Sequence, residues 1–281
     1  MKSSRVIISV LLAVELLAGL ALGGCAPAKT EKLKVVTSTS LLAYIVEQVA
    51  GDRVEVLNLV PPAQHPGDFN VKPSDIQKLA ESDIFLLHGW PGETYADKMI
   101  ESANNPNLLV AKVEVNGSWM IPPAQAEATD KVASILSQAD SKNEAAYHKS
   151  AEAYKKRIAA KEAEIKAKLA KANISQANVI CAALQADSLK WMGLNVVATY
   201  GLPNSLTPQV VQELVDKGRA AEVTLIADNL HSGKDAGAGI AEELGAKRII
   251  LLNFPGGFDN TETWEKAIDY NVAQILGAIA K

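Results

Sequence analysis

The stretch NEAAYHKSAEAYKKRIAAKEAEIKAKLAKA, residues 143–172, decides the architecture of this chain. It contains neither Gly nor Pro, is dominated by strong helix formers, and carries opposite-charge pairs one turn apart such as Glu162 and Lys166. Its larger apolar positions, Tyr147, Ala151, Tyr154, Ile158, Ile165 and Leu169, recur at intervals of three, four and seven, which gathers them on one face. At a rise of about 1.5 Å per residue, roughly 28 residues span about 42 Å, more than the width of a small domain. The seam is sparse and rich in Ala, unlike a sustained coiled coil. The pattern predicts a rigid spacer between two bodies.

On both sides of that helix, short β-branched runs alternate with helical patterns, the sign of parallel βαβ units. Before it, strands are predicted at Lys34–Thr37, Val54–Val60, Asp83–Leu87 and Leu108–Val113. Helices are predicted at Ser40–Ala50, from Pro73, and at Ala126–Ala139. After it, Val179–Cys181, Val196–Thr199, Val223–Ala227 and Arg248–Leu252 read as strands, with helices at 208–217, 235–245 and 262–279. The fold class is therefore α/β: two lobes, each a roughly four-stranded parallel sheet with flanking helices, joined by one long rigid helix. The expected division is a leader at 1–24, a tether at 25–34, an N-terminal lobe at 35–124, a helical segment at 125–173 and a C-terminal lobe at 174–281.

Of the 281 residues, 48% are hydrophobic and 21% charged, ample for packed cores. The 28 basic and 32 acidic residues leave a net charge of −4, which argues against a nucleic-acid partner. Lys2 and Arg5 precede a largely apolar run, Val6 to Leu22, interrupted by Glu15 and shorter than the roughly 20 residues a membrane span needs. This reads as a secretory signal peptide. Its end, Leu22-Gly23-Gly24-Cys25, resembles a bacterial lipobox, which implies cleavage before Cys25 and lipidation of its thiol. Loss of Lys2, Arg5 and Glu15 with the leader takes the net charge to −5. The mature protein is expected to be a monomeric, extracytoplasmic body on a lipid tether. Cys181, in an apolar run, then has no disulfide partner and is expected to be a buried thiol.

In open parallel sheets ligands bind just beyond the carboxyl ends of the strands. Those positions carry Thr37 to Ser40, the loop Pro61 to Asn70 with His65 and Phe69, His88-Gly89-Trp90, and Asn116-Gly117-Ser118-Trp119. In the second lobe they carry Gln185, Tyr200, Asp228-Asn229-Leu230-His231 and Asn253. His65, His88, His231 and Asp228 offer imidazole and carboxylate donors suited to a transition metal. Trp90, Trp119 and Phe69 could frame an organic ligand, with Gln185, Asn229 and Asn253 as polar contacts. The patterns G-x-S-x-G, H-E-x-x-H and Walker A are missing, and Gly237-Ala238-Gly239 continues to Glu242 rather than glycine. Asp228, His231 and Ser188 could be drawn as a triad, but nothing in the sequence fixes its geometry. The chain reads as a binding protein, not an enzyme.

Val35-Val36-Thr37-Ser38-Thr39-Ser40, Leu59-Val60-Pro61-Pro62, Pro73-Ser74-Asp75, His88 to Glu93, Trp119 to Pro122, the long helix and Ile240 to Ala246 occur in that order. In this the chain resembles the solute-binding lipoproteins of zinc and manganese ABC importers, over nearly all of its mature length. The resemblance implies two α/β lobes bridged by one helix, metal in the cleft, small lobe motions, and delivery to a permease with its ATPase subunit. It also places the usual metal ligands at Gly67, Gly117, Ala182 and Asn253, where this sequence lacks the usual donors.

Two readings follow. In the leading one, zinc or manganese is held by a relocated set of His65, Asp228 and His231, with His88 or Gln185. Such capture should weaken below about pH 6, because imidazole protonates near its ordinary pKa of about 6.5. In the other, the glycines open room for a metal chelate or small organic solute between Trp90 and Trp119. A lipid-anchored adhesin or metal-buffering surface protein is a third class that the sequence does not separate from an importer component.

Overall fold

The computed structural model describes residues 32–172 and 174–280. The leader, Cys25 and most of the tether lie outside the described residues. Strands β1 (Leu33–Thr37), β2 (Val54–Asn58), β3 (Ile84–Leu87) and β4 (Leu109–Lys112) form one sheet, parallel throughout, in the order β2-β1-β3-β4. Strands β5 (Asn178–Ala182), β6 (Asn195–Tyr200), β7 (Leu225–Asn229) and β8 (Lys247–Leu251) form a second in the matching order β6-β5-β7-β8. Each sheet thus reverses its winding beside its first strand, which opens a crevice at the carboxyl ends of β1/β3 and of β5/β7.

The helices are α1 (Ser40–Ala50), α2 (Pro73–Ala80), α3 (Ala96–Ala103), α4 (Pro122–Ala139), α5 (Glu144–Leu169), α6 (Ala186–Met192), α7 (Pro208–Ala220), α8 (Ala238–Leu244) and α9 (Trp264–Ile279). A single helical turn, Leu230–Gly233, follows β7. Several start where the local chemistry demands. Thr39, Thr207 and Thr263 accept hydrogen bonds from the first-turn amides of α1, α7 and α9, and Pro73, Pro122 and Pro208 occupy first helical positions. The sequence reading missed α3 and α6, which are too short to display a helical period. Among the described residues no helix is long and apolar enough to cross a membrane.

Alternation along the strands explains the layering. Val35, Ile84 and Leu86 belong to one buried cluster, while their neighbours Val36, Phe85 and Leu87 belong to another with Leu79 and Met99. In the second lobe, Val179, Cys181, Leu225 and Ala227 face the first cluster, and Ile180, Ala182 and Ile226 face a third with Leu214 and Ile240. The first cluster is continuous through both lobes, and the α5 seam, Tyr147, Ala151, Tyr154, Ile158, Ile165 and Leu169, lies within it. Helix α5, about 39 Å long at 1.5 Å per residue, therefore buries one face in the core that both lobes share and leaves the rest of its surface largely exposed. Burial pushes the Cys181 thiol up to about 12, which leaves it protonated and inert.

The shared core predicts that the two lobes unfold together. Ile158→Ala should lower the unfolding free energy by about 2–4 kcal/mol. Urea curves followed by tryptophan fluorescence and by circular dichroism should still coincide in one transition; separated transitions would show independent lobes.

Candidate functional site

A cavity of about 400 Å³ lies between the lobes, where the two crevices meet. The first lobe lines it with His65, Pro66, Trp90, Pro91, Gly92, Gly117, Ser118 and Trp119, and the second with Ala183, Leu184, Asp187, His231, Asn253 and Phe254. Hydrogen bonds cross between the lobes at its border: His231 Nε2 to Pro62 O (2.6 Å) and Ser118 Oγ to Ser188 Oγ (2.7 Å).

His65 sits on the loop after β2, and its Nδ1 accepts from the Gly67 amide at 2.9 Å. A neutral imidazole carries one proton, which this bond places on Nε2. A Cβ on Gly67 would lie 2.9 Å from His65 Nδ1, so the glycine is what admits this ring. His65 therefore fills the space beside the first position that the resemblance leaves without a donor. Gly117 has a carboxylate as its neighbour. It has φ +81, and a Cβ there would lie 3.4 Å from Asp187 Oδ2. Asp187, from the first turn of α6, thus stands beside the second vacated position. At the remaining two, Ala182 is buried in β5, and Asn253 Oδ1 accepts from Gln185 Nε2 at 2.9 Å, a neutral amide pair.

His231 is set by the turn after β7. Asn229 Oδ1 accepts from the amides of His231 and Ser232, which fixes the start of that turn. Because Pro62 O only accepts, Nε2 of His231 carries the proton. Its buried Nδ1 then presents a lone pair with no protein partner among the described residues. Burial lowers the His231 pKa to about 4, opposed by the Pro62 hydrogen bond and assisted by nearby His65. The ring is neutral well below the pH 6 expected from the ordinary value.

Trp90 is held from behind. The Glu93 carboxylate accepts from the backbone amides of His88, Gly89 and Trp90 at 3.1, 2.8 and 3.1 Å, which closes the loop after β3. His88 stacks on Trp90 with ring centroids 3.6 Å apart and planes 8° from parallel, and Trp119 meets it edge-on at 4.2 Å. Phe254 completes the aromatic wall 6.0 Å from Trp90 and 4.5 Å from His231.

The structure thus brings His65, His231, Trp90, Trp119 and Asn253 to the cavity, with Gln185 behind Asn253. Four other residues named from the sequence are elsewhere. His88 is buried against Thr39 Oγ1 (2.7 Å) and supports Trp90 instead of lining the cavity; burial lowers its pKa. Asn229 caps the turn, and Phe69 packs on Tyr95 at 5.0 Å in the outer cluster. Asp228 is the largest correction. Strand β7 runs two residues past its expected end, so Asp228 shares the outward face of Ile226 and not the cleft. Its Oδ1 accepts from Tyr200 Oη (2.5 Å) and the Gly237 amide (2.7 Å), and its Oδ2 pairs with Arg248 (2.7 Å). The drawn triad with Ser188 falls with it. Among the described residues no group of three or more His, Cys, Asp and Glu side chains is arranged to hold a metal ion. Sequence reasoning missed Asp187 and Leu184, and named the loops that hold Ser118 and Phe254 without giving those residues a role. Asp187 lies five residues past the end of β5, two beyond Gln185, farther than the strand-end rule was read.

Residues 35–278 match the family described as zinc-uptake complex component A, periplasmic. Similar proteins include the manganese ABC transporter substrate-binding lipoprotein PsaA of Streptococcus pneumoniae, 27% identical over 51% of this chain and 54% of the relative. They also include the metal ABC transporter substrate-binding lipoprotein FimA of Streptococcus parasanguinis, 27% identical over 71% of this chain and 73% of the relative. The chain thus spans about half the length of the first and nearly three quarters of the second. Among solved structures, the Mn-bound periplasmic metal binding protein of Candidatus Liberibacter asiaticus superposes with a TM-score of 0.76 at 18% identity, over 89% of this chain and all of the other. That agreement shows the fold: two lobes with parallel sheets and a long central helix.

Two consequences are measurable. Asp228→Ala strands Arg248 and should cost about 2–4 kcal/mol, below the fully buried range because Arg248 reaches solvent. Denaturant titration should register that loss while ligand affinity is unchanged. For His231 the folded pKa of about 4 lies below the ordinary 6.5, so the unfolded chain takes up the proton first. Its contribution is present above about pH 6.5 and is lost as the pH falls towards 4, and His88 acts in the same direction. Unfolding midpoints of the ligand-free protein should drop across that window, with a shallower slope in His231→Gln.

Proposed function

The chain belongs to the family of zinc-uptake complex component A periplasmic proteins, and on that premise we propose that it is the extracytoplasmic solute-binding component of an ABC importer whose cargo is a transition metal already held by a small organic chelator. The carrying observation is the mismatch between donors and space. Two imidazoles, His65 and His231, line a cavity of about 400 Å³ whose other walls are largely aromatic and aliphatic. A bare zinc ion is satisfied by about four close donors, whereas a volume of roughly 300–1,000 Å³ with apolar walls and few polar groups is that of a small-molecule site. In this reading the chelator fills most coordination positions, His231 Nδ1 and His65 take open ones, and the organic part rests against Trp90, Trp119 and Phe254. His65 exchanges its Gly67 hydrogen bond for the metal, or donates Nε2–H to the chelator.

The remaining steps are capture and delivery. The complex docks on a permease with its ATPase subunit, and Cys25 tethers the protein, as a monomer, to the membrane. The shared core limits the accompanying motion to small tilts of the lobes. A second reading, the bare ion, draws support from His65 and Asp187 standing beside Gly67 and Gly117, as replacements for donors lost there.

Titration of untagged, chelator-stripped protein separates the two. Tryptophan fluorescence and calorimetry would compare free zinc ions with the one-to-one zinc–phenanthroline complex. The expected result is at least about tenfold tighter binding of the complex, about 1.4 kcal/mol, largely lost in the His65→Ala/His231→Ala double variant. One equivalent of free zinc bound as tightly as the complex would replace this reading with the bare-ion one.

A further inference from the structure

We propose that Asp187 sets the charge class of the solute: the cavity takes a cationic metal complex and rejects anionic ones. This rests on the chelate reading above and adds the property by which the site would choose among chelates. Among the described residues, Asp187 is the only charged side chain that lines the cavity, and no Lys or Arg stands in its lining. Asp187 makes no ion pair among the described residues, in contrast to Asp228, whose charge is consumed by Arg248. Gly117 of the other lobe stands beside it: a Cβ there would lie 3.4 Å from Asp187 Oδ2, an ordinary contact distance.

The physics is that of a single fixed charge in a partly enclosed space. Asp187 is exposed to solvent at the cavity, so water screens part of its field, and the apolar walls beside it concentrate the remainder on a solute. An anionic complex meets the same field as repulsion, with no lysine or arginine in the lining to offset it. Specificity here arises from a penalty on the wrong solute as well as an attraction for the right one.

The test uses three complexes of one metal that leave open positions for imidazole: zinc–phenanthroline, doubly cationic; zinc–iminodiacetate, neutral; and zinc–nitrilotriacetate, singly anionic. With the wild-type protein, affinity should fall in that order, by about tenfold or more from first to last. Asp187→Asn keeps the shape and removes the charge; it should weaken the cationic complex about five- to tenfold and leave the anionic one unchanged or improved. Asp187→Glu should restore most of the preference, which a purely structural role would not. An affinity order independent of charge, or an order that persists in Asp187→Asn, would overturn the proposal. If free zinc outcompetes all three complexes, the chelate reading fails. The loss or survival of zinc binding in Asp187→Asn then judges Asp187 by itself.

Discussion

One apolar core beneath two sheets holds this molecule in its working form. Parallel strands with both faces buried divide their side chains by simple alternation, and in both sheets one of the two faces joins the cluster that contains the α5 seam. That arrangement determines where the crevices open. With both sheets anchored to the same helix, the carboxyl ends of β1/β3 and β5/β7 meet across one cavity and not at two separate ones. The crossing contacts from Ser40 to Pro255, Tyr44 to Glu265 and Arg157 to Gln48 reinforce a geometry already set by the core.

Within that frame the cavity is shaped by exchanges between neighbouring positions. Glycine at 67 admits the His65 ring, and Asp187 stands at ordinary contact distance from glycine 117. At both positions a donor side chain comes from elsewhere in the chain. The amide pair Gln185–Asn253 does the reverse, because two neutral groups satisfy each other and offer little to a cation. The net result is a chamber of about 400 Å³ with one carboxylate among its described lining residues.

The aromatic wall owes its rigidity to a buried carboxylate. Glu93 is accommodated away from water because three successive amides donate to it, and that turn presents Trp90 to the cavity with His88 stacked behind it. A histidine that reads as a metal ligand in the sequence is, in the fold, part of the support for a tryptophan. The same residue type at position 231 lines the cavity, which His88 does not. Neighbours, not residue identity, separate the two roles.

The amino-acid sequence alone carries the elements whose signals are local and repeated: the long helix from its composition and spacing, and the strands from their β-branched runs. It also fixed which loops could reach a ligand, because strand ends are named by order along the chain. Tertiary structure alone decided which side chains in those loops face the cavity. Asp228 lay one residue beyond the expected end of its strand, and a two-residue extension of β7 turned it to the outer face, where Tyr200, Gly237 and Arg248 absorb its charge. Asp187 lay five residues past the end of β5, yet the meeting of the two lobes gave it a place in the cavity lining. The direction of a side chain at a strand end depends on register to within one residue, and its partners come from distant parts of the chain. Local pattern carries neither.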